Sequence, residues 1–381
     1  MGTITRSIAN NVLSNGTIDA TDGLTGTIPA SNLNNASISN LTAFPATVGD
    51  FVEATASDVP ASPSTLGQLF YNTTTGQLKG NSFTAAAWAS GGNLSNSFAG
   101  RAGFGTQTAT LVATGYPPSL PPFSTATEEY DGSSWTSGGA ANTARGNALS
   151  FGTQTAGTIF GGATAFSAGF TAFTDVTEEY NGSAWTTVNP YGENIWYGGG
   201  AGTQTAGLQI GGLFPSSSPT SPATTKEYDG TNWTSGGNIN TVGNARRGSG
   251  TQTAALAASK APGPSGPTTV TEEYNGTSWT SVNPSNTTSA YRGVSTGGSQ
   301  TASLLFGGSP STTVTEEYDG ISWAINPATL GTPVGSSSQI GGGTATAAIF
   351  PGGELNPPGA GTNITQEYTG AFVSTKTLTT S

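Results

Sequence analysis

Thr127-Glu-Glu-Tyr-Asp-Gly-Ser-Ser-Trp135 decides the fold, because it returns. Copies in the same frame end at Trp185, Trp233, Trp279 and Trp323, and a sixth, Thr365-Gln-Glu-Tyr-Thr-Gly-Ala-Phe-Val373, has lost the Trp. The tyrosines of the six copies are Tyr130, Tyr180, Tyr228, Tyr274, Tyr318 and Tyr368, at intervals of 50, 48, 46, 44 and 50 residues. Upstream of each stands a second block, Gly105-Thr-Gln-Thr-Ala109, with copies at 152–156, 202–206, 250–254, 298–302 and 343–347. Four or five mostly apolar residues follow it, then usually a Gly pair (161–162, 211–212, 307–308, 352–353), then a segment of variable length. The pair is halved in unit one (Thr114-Gly115) and missing in unit four (Ser259-Lys260). A repeat of this length, with short apolar runs and Gly-rich turns, is the signature of a propeller blade.

Each unit reads as four strands. The first carries Arg101, Arg145, Arg246-Arg247 or Arg292; the second runs from the Thr-Gln-Thr-Ala turn to the Gly pair; the third ends at the Tyr; the fourth carries the Trp. An Asp-Gly or Asn-Gly dipeptide joins the last two, a pair that favours positive φ at both turn positions. Strand alternation predicts Val176, Glu178 and Tyr180 on one face and Thr177 and Glu179 on the other. Trp88 is followed by Ala-Ser-Gly-Gly, as Trp135 is by Thr-Ser-Gly-Gly, yet no repeat tyrosine precedes it. Unit six has the tyrosine and no Trp. The strand around 83–89 is therefore expected to complete the last unit, with the C-terminal strand 371–379 as the competing edge.

Composition agrees with an all-β, turn-rich chain. Charged residues are 8% of the 381, Gly numbers 57, and 16 Phe, 11 Tyr and 7 Trp recur largely at fixed spacings, which argues against disorder. Ten basic residues are scattered without a stripe and the net charge is −11, so nucleic acid is not an expected partner. No apolar run is long enough for a membrane span, and the N-terminus lacks the pattern of a signal peptide. With no Cys and no His there is no disulfide, no thiolate, and neither the commonest metal ligand nor the commonest general base. No cofactor and no catalytic or metal-binding residue is expected.

A Gly pair closing the second strand, then a Tyr, then a Trp, with an Arg shortly after, resembles the kelch family. The likeness spans about Trp88 to Phe372 and departs from the usual spacing by one residue between Tyr and Trp. It implies an all-β fold, a six-bladed kelch-like β-propeller over 81–381. Ahead of it, residues 1–66 are rich in Asn, Ser and Thr, and 67–80 (Gly67-Gln-Leu-Phe-Tyr-Asn-Thr-Thr-Thr-Gly-Gln-Leu-Lys79 and Gly80) reads as a β-hairpin turning at 73–76. These two pieces resemble the N-terminal regions of structural proteins of tailed bacteriophages, cyanophage-like ones especially. That implies an extended virion-attachment and oligomerisation segment in contact with other virion proteins, and an outward-facing propeller.

The six glutamates before the tyrosines (Glu129, Glu179, Glu227, Glu273, Glu317, Glu367) are expected to be structural acceptors, for backbone amides or an Arg of a neighbouring unit. Six equal copies are not the single asymmetric pair that acid–base catalysis needs. Glu128-Glu-Tyr-Asp-Gly-Ser-Ser-Trp135 also fails the Asp-box of sialidases, since Tyr130 stands at the Asp position and Glu128 at the Ser position. A galactose-oxidase-like copper site is excluded by the missing His and Cys. Trp88, Trp135, Trp185, Trp233, Trp279 and Trp323 are expected to pack between units, with the repeat tyrosines. The segments between second and third strands differ most, and they supply the receptor-binding candidates Tyr116, Phe123, Phe166, Phe170, Phe173 and Phe214. Tyr191, Trp196 and Tyr197 join them as an aromatic platform or a substitute for the Arg that unit three lacks. The expectation is a non-enzymatic virion protein, a tail fibre or appendage contributing to host-surface binding, trimeric, made in the host cytoplasm and released by lysis. The alternatives are a capsid-surface or baseplate structural protein and a secreted bacterial kelch-like lectin.

Overall fold

The computed structural model describes residues 53–378 except 118–121, 167–169, 216–222, 245, 264–265, 289–291, 309–311, 336–339 and 356–359. The expected attachment segment therefore lies outside the described residues over 1–52. The described chain is all-β; its single helical turn is the 3-10 turn Pro63–Thr65. It divides into two compact parts, Met1–Ala85 with Ala371–Ser381, and Ala86–Gly370.

In the smaller part, Glu53–Thr55, Leu69–Asn72, Gln77–Thr84 and Phe372–Thr377 form one sheet in that order, the first pair parallel and the others antiparallel. Leu69–Asn72 and Gln77–Thr84 are a hairpin whose turn is set by Asn72, whose Oδ1 accepts the N–H groups of Thr74 and Thr75, both at 3.0 Å. The Asn72 amide donates to Asp58 at 2.6 Å, and Lys79 Nζ reaches the same carboxylate at 2.7 Å.

In the larger part every sequence unit folds into a four-stranded antiparallel sheet, an arrangement consistent with a β-propeller. Unit two shows the pattern: Leu149–Thr153, Ala156–Phe160, Thr177–Tyr180 and Trp185–Val188 pair in sequence order. Thr153 pairs with Ala156, so Gln154-Thr155 is a two-residue turn. Tyr180 pairs with Trp185, which leaves the four residues 181–184 as the loop between third and fourth strands. That loop is not the expected turn with two positive φ angles. Only its glycine is left-handed, Gly132 at +93° and Gly182 at +90°. The preceding Asp or Asn closes the loop with its side chain: Asp131 Oδ1 accepts the N–H groups of Ser133 and Ser134, both at 2.8 Å.

Unit six is completed from far upstream. Its sheet runs Gly342–Gly343, Ala347–Pro351, Thr365–Thr369, and then Ala87–Ser90, with Trp88 opposite Tyr368 as Trp135 is opposite Tyr130. The competing strand, Phe372–Thr377, pairs instead with Gln77–Thr84 in the smaller part.

The sheets are covered on both faces. In the third strand of unit two, Thr177, Glu178 and Tyr180 are buried and Glu179 half-buried, so alternation separates two interfaces rather than core from solvent. Small residues make the close stacking possible. A Cβ on Gly157 would stand 2.0 Å from the Phe104 ring of unit one, and one on Gly207 2.1 Å from the Phe151 ring of unit two. The broken Gly pairs keep the same backbone. Thr114 (φ +62°) and Ser259 (φ +59°) adopt the left-handed conformation that Gly161 (+65°) and Gly211 (+59°) hold in their sister units.

Candidate functional site

The third strands of units one, two, four and five place two adjacent carboxylates on opposite faces, and the structure gives them different partners. The first is the anchor of its own unit. Glu178 is fully buried and pairs with Arg145, which is also fully buried; it accepts the N–H groups of Asn142 (2.6 Å) and Thr143 (3.0 Å) as well. Glu272 with Arg246 (2.9 Å), Glu316 with Arg292 (2.6 Å) and Glu128 with Arg101 (2.8 Å) repeat the arrangement. Burial lowers the affinity of these guanidiniums for their proton, and the facing glutamate opposes it. Burial likewise works to raise the Glu316 carboxyl, but Arg292 and the Asn286 and Thr287 donors outweigh it and hold it below the ordinary range.

The second carboxylate, the one next to the tyrosine, does not take an Arg of a neighbouring unit as expected. It accepts the tyrosine hydroxyl of the following unit: Tyr180 to Glu129, Tyr228 to Glu179 (2.9 Å), Tyr274 to Glu227 (2.7 Å), Tyr318 to Glu273 (2.8 Å), and Tyr130 back to Glu367. The Arg instead serves its own unit. Between units five and six the contact is relayed, with Asn326 Nδ2 bonding both the Tyr368 hydroxyl (2.8 Å) and Glu317 (3.1 Å).

The Gln of the Thr-Gln-Thr-Ala turn forms a second clamp. Gln154 Nε2 donates to the carbonyls of Thr110 (3.1 Å) and Tyr130 (2.7 Å) of the preceding unit, and Gln204, Gln252, Gln300 and Gln107 repeat the bond. Unit six carries Ala345 at this position, and there a buried apolar cluster with Phe306, Leu330, Val334 and Phe350 occupies the interface. A third link joins the indole N–H to the threonine that opens the preceding third strand: Trp185 to Thr127, Trp135 to Thr365 and Trp88 to Thr315, each 2.9 Å. Each of these tryptophans also packs on the tyrosine of its own sheet, Trp185 on Tyr180 at 4.9 Å and Trp88 on Tyr368 at 5.3 Å.

The tyrosine–glutamate bonds have a pH signature. Burial first, and then the glutamate, push the Tyr130 and Tyr180 hydroxyls up to about 12, and Tyr228, Tyr274 and Tyr318 are raised for the same reasons. A raised folded-state pKa means that this stabilisation is complete below the ordinary tyrosine value of about 10. It is lost as pH rises through the folded value. Alkaline titration followed by phenolate absorbance should therefore show the repeat tyrosines ionising together with loss of structure, well above the ordinary tyrosine value. Their ionisation near pH 10 in a folded protein would contradict the bonds.

The receptor-binding candidates separate by burial. Tyr116 (5% exposed) and Tyr191 (1%) are core residues. Tyr191 stacks on Phe160 at 5.7 Å and meets Trp233 edge-on at 5.1 Å. It belongs to a reversed version of the anchor, because unit three carries Lys226 where units one, two, four and five carry the buried Glu. Lys226 Nζ bonds the Tyr191 carbonyl (3.0 Å) and Glu193 (3.2 Å) and lies 4.2 Å from the Tyr191 ring centre. Phe123, Phe166, Phe173, Trp196, Tyr197 and Phe214 are half-buried, and the side chain of Phe170 lies outside the described residues. Trp196 brings three of these together, with Tyr197 at 4.3 Å and Phe173 at 4.9 Å.

Among the described residues no group of His, Cys, Asp and Glu could hold a metal ion, and no helix is long and apolar enough to cross a membrane. The chain matches no protein-family model, and a search of curated proteins finds no match to it.

Proposed function

We propose that the repeat part is a six-bladed, kelch-like β-propeller, and that the chain is a non-enzymatic virion protein of a tailed phage, a tail fibre or tail appendage that binds the host surface. The observation that carries this reading is a contrast within the repeats. The same Arg–Glu anchors, Tyr–Glu bonds and Gln clamps recur from unit to unit, whereas the segment between second and third strands differs in each. Unit two forms the hairpin Ala163–Phe166 with Phe170–Phe173, and unit four extends its strands to Ala254–Gly263 and Gly266–Tyr274. A constant scaffold with variable loops is the architecture of a recognition surface. The recurring carboxylates are acceptors in that scaffold, which supports a binding rather than a catalytic role. On this reading residues 1–66 attach the protein to other virion proteins and assemble it, as a trimer, and lysis of the host releases it.

A structural reading, as a capsid-surface or baseplate protein, is favoured by one patch. Ile321 (72% exposed) and Ile325 (63%) lie on the outer edge of unit five, where sister units carry Ser133 and Ser137 or Thr277 and Ser281. The test is binding of the fluorescent full-length protein to a panel of bacterial strains, cyanobacteria included, before and after surface polysaccharide is stripped. Saturable binding that stripping abolishes is expected. A folded protein that binds no strain would leave the structural reading in its place.

A further inference from the structure

Resting on the host-surface reading, we infer that the ring cluster of Trp196, Tyr197 and Phe173 is the contact point for an uncharged glycan. The argument begins with the backbone. Tyr197 has φ +56°, in the left-handed region. The equivalent residues of units one and two are Gly100 (φ +63°) and Asn147 (φ +55°), the two residue types that enter this region at least cost. A bulky aromatic there works against the stability of unit three. Local rule-breaking of this kind collects where a side chain is kept for a task other than folding. Thr114 and Ser259 share the left-handed backbone, but both are buried. Tyr197 is only partly buried, as are Trp196 and Phe173 beside it.

The cluster is held from two sides. Trp196 exchanges backbone hydrogen bonds with Leu213 (3.1 and 2.8 Å), and the Tyr197 N–H donates to the Asn147 carbonyl of unit two at 3.2 Å. Rigid aromatic rings with little entropy left to lose are good partners for the apolar C–H face of a pyranose ring.

Charge selects the glycan. Arg101, Arg145, Arg246, Arg247 and Arg292 are all buried, and Lys226, the lysine nearest the cluster in sequence, is engaged by Glu193. The chain carries a net charge of −11, and Glu193 and Asn194, just ahead of the cluster in sequence, are exposed. Such a surface repels acidic polysaccharides and phosphorylated lipid headgroups, while carboxylate and amide groups accept hydrogen bonds from neutral hydroxyls.

Full-length Tyr197→Asn and Tyr197→Phe proteins test this. The probe is the neutral polysaccharide fraction extracted from a strain that binds the wild-type protein, with the acidic fraction of the same strain alongside. Tyr197→Asn is expected to unfold at the same or higher denaturant concentration than wild type and to bind the neutral fraction about tenfold more weakly. Tyr197→Phe, which keeps the ring, should bind close to wild type. Wild-type binding to the acidic fraction alone, undiminished binding by Tyr197→Asn, or a clear loss of stability in that variant would each overturn the assignment while leaving host-surface binding intact. Absence of wild-type binding to every strain would remove the broader reading, and this one with it.

Discussion

Replacing Arg145 by alanine is expected to destabilise the repeat part by about 3–5 kcal/mol, the usual cost of stranding one member of a buried ion pair. The expectation rests on what Arg145 leaves behind. Glu178 would keep the two N–H donors of Asn142 and Thr143, yet hold its charge in a fully buried site with no counterion. The carbonyls of Gly161 and Val176, which accept from Arg145 Nη1 at 3.0 and 2.7 Å, would lose that donor too. The molecule contains its own neutral version of the site. In unit six Gln366 stands at the glutamate position, accepts the Thr332 N–H at 3.0 Å and donates to the Thr332 carbonyl at 3.2 Å, without an arginine. The double variant Arg145→Leu with Glu178→Gln copies that solution and should be clearly more stable than Arg145→Ala. Equilibrium urea unfolding measures both. A single variant costing less than about 1 kcal/mol, as a solvent-screened pair would, would show that the anchor is not the buried charge pair described.

The second large effect is expected at Trp185. Its side chain is 6% exposed and packs in one cluster with Phe104, Leu111, Ile159 and Tyr180, so truncation to alanine removes a large apolar surface and opens a cavity that the stacked sheets cannot close. The cost should be about 3–5 kcal/mol. Trp185→Phe keeps most of the packing and deletes the indole bond to Thr127, and should cost about 1–2 kcal/mol. Trp135 occupies the same position in unit one but is only half-buried, so its truncation is expected to cost less than that of Trp185. Equal losses at the two sites would mean that the indole bonds, rather than burial, dominate this interface.

Much of this was legible in the chain. Strand positions followed from the recurring blocks, because a two-residue turn at Gln154-Thr155 and a loop between Tyr180 and Trp185 leave little freedom in register. Trp88 could be matched to unit six because the Ala-Ser-Gly-Gly after it copies the flank of the other outer strands. The glutamate partners were not legible. Adjacent residues of one strand look alike in sequence, and only stacking reveals that one face meets an arginine of its own unit and the other a tyrosine of the next. The apparent breaks at Thr114 and Ser259 conceal a constant backbone: the fold imposes the left-handed conformation and tolerates a side chain that disfavours it. Tyr116 was hidden in a variable segment and Tyr191 in the link that follows the strand Trp185–Val188, where no periodicity distinguishes a ring that turns inward from one that faces solvent.

The pairing of Ala87–Ser90 with Thr365–Thr369 sets a schedule for synthesis. The first of these strands leaves the ribosome before any other strand of the repeat part, and its partner is among the last. At translation rates of ~5–20 residues per second the early strand waits on the order of tens of seconds for it. Throughout that interval its backbone edge has no native partner, and Trp88 gains Phe306 and Thr315 only when unit five has been made, while unit after unit can fold behind it. A nascent chain cut short anywhere before the sixth unit would keep that edge open for good, as a strand available to other chains in a crowded cell.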